Sequence, residues 1–117
     1  RGLFQSFVNA FQGFRIITME RNSTIHVAVA VFVVLEAILF RVSKVEWLLV
    51  SIAIAMVIAL EIVNSAIERI SDRIEARVDL DIALIKDASA AGVLVSVLAA
   101  AIIGVSIFLT RILAELT

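Results

Sequence analysis

The stretch VEWLLVSIAIAMVIALEIVNSAIERISDR, residues 45–73, decides the fold, because it begins as a long apolar run and ends in a series of acidic and polar residues. Its apolar part, residues 45–67, exceeds the roughly 20 residues that a helix needs to cross the hydrocarbon core of a bilayer. Trp47 lies near its start and is of the type that anchors a helix at the membrane interface. We therefore predict a transmembrane helix over residues 45–67.

Two further apolar runs flank this one, over residues 25–42 and 88–113. The first is short for a span, but helix tilt or local thinning of the bilayer absorbs such a difference. The turn between residues 25–42 and 45–67 has almost no length, so these two helices should form a tight hairpin. The sequence thus predicts three transmembrane helices.

The N-terminal residues 1–22 have a different pattern, in which Phe residues recur at helical spacing and polar residues occupy the other side. A helix with such a stripe fits the headgroup boundary of a bilayer. We expect an all-α membrane protein in which this amphipathic interfacial helix precedes the three spans.

The composition supports one membrane domain over residues 1–117. The hydrophobic fraction is 62%, against about 45–50% in soluble domains, and a small soluble core cannot bury such an excess. The net charge of −1 argues against electrostatic binding of nucleic acid. The absence of cysteine excludes disulfides and thiolate metal sites.

The basic residues predict the orientation in the membrane. Most of the Lys and Arg residues lie in residues 1–22 and in the charged segment 68–87. Cytoplasmic segments carry the excess of positive charge. We expect the N-terminus and a charged loop, residues 68–87, to lie on the cytoplasmic side of a bacterial inner membrane.

The end of the second predicted span carries Glu61, Asn64, Glu68 and Asp72, at spacings that place all four on one helical stripe. Ionisable groups in a membrane helix are costly and usually face a bundle interior or a cavity. Carboxylates on one stripe suit Mg²⁺, which prefers oxygen ligands, and a free carboxylate can accept a proton from a hydroxyl. The plainer alternative is that Glu68 and Asp72 belong to a solvated helix end.

Other polar residues are open to two interpretations each. Glu20 can join the acidic stripe or sit at a wet helix end, and the Lys86–Asp87 pair can hold phosphate or mark an ordinary helix start. We interpret His26 as an interfacial polar residue rather than a ligand. Glu36 should face other helices or the opposite interface, without a role. The sequence contains no Gly-rich phosphate loop.

The runs EIVNSAIERISDR, residues 61–73, and KDASAAGVL, residues 86–94, resemble the bacterial diacylglycerol kinase family. That family's hallmark is Glu-x-x-Asn-[Ser/Thr]-Ala-[hydrophobic]-Glu-x-x-x-Asp, followed by Lys-Asp and small residues. The resemblance implies a small homotrimeric membrane kinase that uses ATP with Mg²⁺ and builds its active sites between helices of neighbouring subunits.

By position, the resemblance implies that Glu61 is the catalytic base and that Glu20 and Glu68 are the Mg²⁺ ligands. Asn64 and Asp72 are similar to other active-site residues of the family. The residues implied for ATP binding are Glu20, Glu68, Lys86 and Asp87.

The resemblance leaves two lipid alcohols open as substrate. We expect diacylglycerol, giving phosphatidic acid, because NSAIE, residues 64–68, is more like the diacylglycerol branch. The alternative is undecaprenol, because ERNSTIH, residues 20–26, is similar to the undecaprenol kinases. Residues 75–85 lack the Tyr-His pair that both branches often carry, so the resemblance implies no residues for the adenine contacts. Outside the kinases, a small multidrug or ion transporter, or a structural subunit, also fits a short helical bundle with a buried Glu.

Overall fold

The computed structural model describes residues 2–18, 21–74 and 80–116, and in these ranges the chain forms four helices and no strand. They are α1 (Leu3–Thr18), α2 (Arg21–Leu39), α3 (Lys44–Arg73) and α4 (Leu80–Leu116). The molecule is elongated, with extents of 58 × 38 × 21 Å. The expectation of an all-α chain is confirmed for the described residues.

Of the described helices, α3 and α4 are long and apolar enough to cross a membrane, by length and composition. At 1.5 Å per residue, the 30 residues of α3 and the 37 residues of α4 span about 45 and 55 Å. Both exceed the roughly 30 Å of a hydrocarbon core. The apolar part of α2, Thr24–Leu39, is shorter.

The turn between α2 and α3 is tight because it is closed by hydrogen bonds. The N–H of Val42 donates to the carbonyl of Ala37 at 3.3 Å, and the N–H of Arg41 donates to that of Ile38 at 3.3 Å. This pair of bonds is the Schellman arrangement, whose penultimate residue is usually Gly in a left-handed conformation. Here that residue is Arg41, with φ 52°.

The start of α3 is fixed by a capping box. The N–H of Glu46 donates to Oγ of Ser43 at 3.2 Å, and the N–H of Ser43 donates to Oε1 of Glu46 at 2.8 Å. The carboxylate of Glu46 also accepts a hydrogen bond from Arg111, which ties the start of α3 to the end of α4.

The charged segment 68–87, expected as a loop, is helical over residues 68–73 and 80–87. Helix α3 continues to Arg73 and α4 begins at Leu80. Neither proline nor glycine occurs between residues 68 and 87, so no residue there forces an early end to either helix. The charged side chains of residues 68–73 and 80–87 are therefore carried on helix ends.

The core lies at the end of the molecule where α2 turns into α3. Val50 of α3 and Phe108 of α4 are buried there beside Ala37 and Val42. The ring of Phe40 packs on that of Phe108, with centroids 6.2 Å apart. This cluster fixes the register of α2, α3 and α4 relative to one another.

Small polar residues are buried further along α3 and α4. Ser65, Ser71 and Ser96 are 3%, 2% and 1% exposed. Small side chains let two membrane helices approach closely. By contrast, the Phe side chains of α1 are exposed, as Phe4 is at 79%. A single chain thus leaves much apolar surface uncovered.

Candidate active site

The acidic residues of α3 grade from buried to exposed along the helix. Glu61 and Asn64 are 6% and 8% exposed. Glu68, two turns beyond Glu61, is half-buried, and Asp72 is exposed. The gradient arises because the stripe leaves the α2–α3–α4 bundle as α3 extends past it.

A polar cleft of about 290 Å³ opens beside this stripe. Its lining residues come from α2, α3 and α4 and are Ile25, His26, Glu61, Asn64, Glu68, Ala90 and Val93. Three members of the predicted stripe therefore face one cleft, as their spacing indicates. Asp72, the fourth, does not line it.

His26 contacts the most buried carboxylate of the cleft. Its Nε2 lies 3.5 Å from Oε2 of Glu61, and its side chain is 26% exposed. The interpretation of His26 as an interfacial polar residue rather than a ligand did not foresee this contact. The two residues are far apart in sequence, and only the packing of α2 on α3 brings them together, so periodicity within one helix gives no signal for the pair.

Asn64 is held from α4. The hydroxyl of Ser89 donates to Oδ1 of Asn64 at 2.7 Å. This bond occupies the amide oxygen and leaves the amide N–H groups of Asn64 as the donors that it can offer to the cleft. Sequence reasoning missed Ser89, although it lies in the KDASAAGVL run.

Lys86 and Asp72 bridge the ends of α4 and α3. Nζ of Lys86 donates to Oδ1 of Asp72 at 2.7 Å. Lys86 precedes the apolar residues 88–113, and the hydrogen bond with Asp72 raises its pKa, with the charges of Asp72 and Glu68 adding to the effect. The ammonium is therefore charged at neutral pH. Asp87 is exposed and does not line the cleft.

Glu20, expected as a metal and ATP ligand, lies outside the described residues. Within the ranges that the structure does describe, no cluster of three His, Cys, Asp or Glu side chains could hold a metal ion. The carboxylates that line the cleft are those of Glu61 and Glu68. Proteins often hold Mg²⁺ by one or two carboxylates while phosphates and waters complete its shell.

An apolar groove of about 530 Å³ runs along α2, α3 and α4 and meets the cleft at His26, which lines both. Its walls are almost entirely aliphatic or aromatic, with Val57 and Phe108 among them. Glu36 lines the groove near the far end of α2 and is half-buried. A polar cleft that adjoins a long apolar groove suits a ligand with a polar head and a hydrocarbon chain.

Comparison with known proteins bears on this geometry. The model of the prokaryotic diacylglycerol kinase family matches residues 8–108. The chain belongs to this family. It is also similar to the undecaprenol kinase of Bacillus subtilis (strain 168), with 34% identity over 110 residues that cover 93% of this chain and 89% of that protein. No solved structure matches.

Membership of the family makes the protein a membrane lipid kinase. The transporter and the structural subunit are thereby set aside in favour of the kinase. The matched range 8–108 includes the residues of the cleft and the Lys86–Asp72 pair.

Proposed function

We propose that this lipid kinase transfers the γ-phosphate of ATP to the primary hydroxyl of a membrane lipid alcohol at the polar cleft. The observation that carries the proposal is the position of Glu61, a buried carboxylate at the cleft, close to where the apolar groove begins at His26. A hydrocarbon chain in the groove would place its terminal hydroxyl beside this carboxylate, and the charged helix ends beyond Glu68 would hold the nucleotide.

The residues at the outer end of the cleft fit Mg²⁺ with ATP. Glu68 would be one ligand, and Glu20 is proposed as the second by resemblance. When bound, the ion neutralises charge on the transferring phosphoryl group. Lys86, held by Asp72, would place a positive charge near the phosphates, and Asp87 is proposed as a further ATP-site residue.

The reaction asks little of the protein beyond positioning and proton removal. Glu61 would accept the hydroxyl proton as the lipid oxygen bonds to the γ-phosphorus, while the bond to the β-phosphate breaks and ADP leaves. Asn64, with its oxygen occupied by Ser89, would donate an amide N–H to a substrate or phosphate oxygen.

We place undecaprenol first as the lipid substrate and diacylglycerol second, the reverse of the order expected from sequence. The 34% identical relative is named an undecaprenol kinase, and the run at residues 20–26 is similar to that branch. The family description and the NSAIE run at residues 64–68 favour diacylglycerol.

A direct test is phosphate transfer from γ-labelled ATP with both lipids side by side. We expect the ratio kcat/KM to be higher for undecaprenol, and EDTA to abolish transfer. A higher ratio for diacylglycerol would reverse the order, and no transfer to either lipid would refute the proposed function.

We propose that the chain lies in a bacterial inner membrane with three spans, of which residues 25–42 form the first. Helix α1 lies at the membrane interface in this arrangement. The arrangement places residues 68–87 and the N-terminus in the cytoplasm, where ATP is available. Because the chain has no cysteine, Arg73→Cys and Lys44→Cys can be labelled in sealed vesicles with an impermeant maleimide. Labelling of Arg73→Cys from the cytoplasmic side alone, and of Lys44→Cys from the opposite side alone, is expected; the reverse pattern contradicts the arrangement.

We further propose a homotrimer, in which neighbouring subunits cover apolar surface that one chain leaves exposed. Residues such as Leu98 and Ile102 of α4 are 55% and 68% exposed. Native mass spectrometry in a mild detergent should show a trimer, and an active monomer would contradict this.

A further inference from the structure

The buried carboxylate of the cleft has a partner on another helix. Glu61 is carried by α3, whereas His26 is carried by α2, and Nε2 of His26 lies 3.5 Å from Oε2 of Glu61. Among the described residues, the other polar side chains of the cleft, Asn64 and Glu68, belong to α3 itself. His26 is thus the described polar side chain of another helix that contacts this carboxylate.

The chemistry of a general base explains why such a contact matters. A carboxylate has two oxygens, and it can rotate about the bond that joins it to its side chain. In the tautomer with its proton on Nε2, the imidazole can donate to Oε2 once the two atoms close from 3.5 Å to about 2.9 Å. The other oxygen is then left to accept a proton. A carboxylate held in this way presents one oxygen at a constant position.

The position of His26 also places it beside the acceptor. It lines both the apolar groove and the polar cleft. A lipid alcohol that lies in the groove and reacts at Glu61 must pass this imidazole. The neighbouring Asn64 is already engaged with Ser89 at 2.7 Å, so the same cleft shows a second case of a polar α3 side chain held from another helix.

We propose that His26 is a positioning residue for the phosphoryl transfer, which orients the carboxylate of Glu61 toward the lipid hydroxyl. The inference rests on the proposed function, since it takes Glu61 to be the proton acceptor. His26 acts through Glu61 and takes no proton from the substrate itself.

The test uses the full-length protein and three variants, His26→Leu, His26→Gln and Glu61→Gln, together with the double variant His26→Leu/Glu61→Gln. Leucine is compatible with a membrane helix but cannot donate a hydrogen bond. The glutamine amide nitrogen can reach nearly the position of Nε2 and can donate. Rates are measured by transfer of labelled phosphate to undecaprenol and to diacylglycerol, with KM determined for ATP and for the lipid.

We expect His26→Leu to lower kcat about 10- to 100-fold, the range that misplacement of a reacting group by about 1 Å produces. The KM for ATP should stay within about twofold, because only the base moves. His26→Gln should recover most of the lost kcat. In the Glu61→Gln background, His26→Leu should cause no further loss, since two residues that act as a unit are not additive.

Phe32→Leu, at an α2 position that is 62% exposed and lines neither cavity, is the matched control for substitution in this helix. It should keep wild-type kcat.

An unchanged kcat in His26→Leu overturns the proposal. The proposal is also overturned if His26→Leu lowers kcat by the same factor in the wild type and in the Glu61→Gln variant. A His26→Leu variant whose only change is a higher KM for the lipid also overturns it. A wild-type protein that transfers no phosphate to either lipid overturns the proposed function together with this inference, whereas an active wild type with a normal His26→Leu overturns only the latter.

Discussion

Replacing Glu61 by glutamine tests the proposed proton-accepting role of the carboxylate while it keeps the size of the side chain. Glu61 is 6% exposed and contacts His26, so a smaller side chain would leave both a cavity and an unpaired imidazole. Glutamine keeps the volume, and its amide oxygen can still accept from Nε2 of His26. What it loses is the negative charge and with it the ability to take a proton.

The expected loss follows from that change. Removal of a general base typically lowers the rate about 10²- to 10⁴-fold, which corresponds to about 2.7–5.4 kcal/mol of transition-state stabilisation. Folding should suffer little, because a buried charge is replaced by a neutral group of the same shape and its desolvation cost disappears. We therefore predict a trimer with near-normal thermal stability, normal nucleotide binding and a kcat at least about 100-fold lower.

The assay is transfer of γ-labelled phosphate to both lipids in mixed micelles, with nucleotide binding measured separately by equilibrium dialysis. Glu36→Gln is the control variant within the membrane segments. Glu36 lies ten residues along α2 from His26, about 15 Å away, and cannot reach the reacting hydroxyl. The Glu36→Gln variant should therefore lose far less activity than Glu61→Gln. Near-normal turnover of Glu61→Gln on both lipids would refute the assignment of the base. The acidic stripe would then have to act in metal binding or packing alone.

Three further predictions test other parts of the molecule. Lys86→Met should raise the KM for ATP several-fold while leaving the melting temperature unchanged, because its exposed pair with Asp72 serves the phosphates rather than the fold; an unchanged KM would contradict this. Ser89→Ala should lower kcat a few-fold and cost about 1 kcal/mol of stability, as it removes the hydrogen bond to Asn64, and the two effects are measured by kinetics and thermal unfolding. Arg41→Gly should raise the free energy of unfolding by about 1 kcal/mol, because Arg41 has φ 52° in the turn after α2; a destabilised variant in detergent unfolding would show that the side chain contributes more than the strain costs.

The spacing within one helix could be read from sequence, and the contacts between helices could not. Glu61, Asn64 and Glu68 recur at intervals that fix their common face, and the structure places all three at one cleft. Their roles stay predictions. The contact of Glu61 with His26 depends on the register of α2 against α3. That register is set by Ala37, Val42 and Val50 at the far end of the helices, which no local pattern reveals.

The extension of α3 and α4 into the charged segment 68–87 could not be read from the sequence either. The density of charge between residues 68 and 87 indicated a loop, but charge alone does not end a helix. Without Gly or Pro to interrupt it, α3 continues to Arg73, and its exposed carboxylate Asp72 pairs with Lys86 of α4. Where hydropathy falls, the membrane segment ends, yet the helix does not.

In the proposed arrangement, the continued helix would explain how so small a protein brings a water-soluble nucleotide to a lipid. At about 1.5 Å per residue, Glu61 lies about 24 Å along α3 from Val45. In the proposed arrangement, with Val45 at one edge of a hydrocarbon core of about 30 Å, Glu61 would lie just inside the other edge. Glu68, about 10 Å further along the same helix, would lie beyond that edge and in reach of water. Lipid hydroxyls sit at the boundary, and nucleotide phosphates stay outside it. One rigid helix therefore sets the depth of the proposed base and that of the proposed metal ligand, and a phosphate loop is not needed to hold the two substrates at their separate depths.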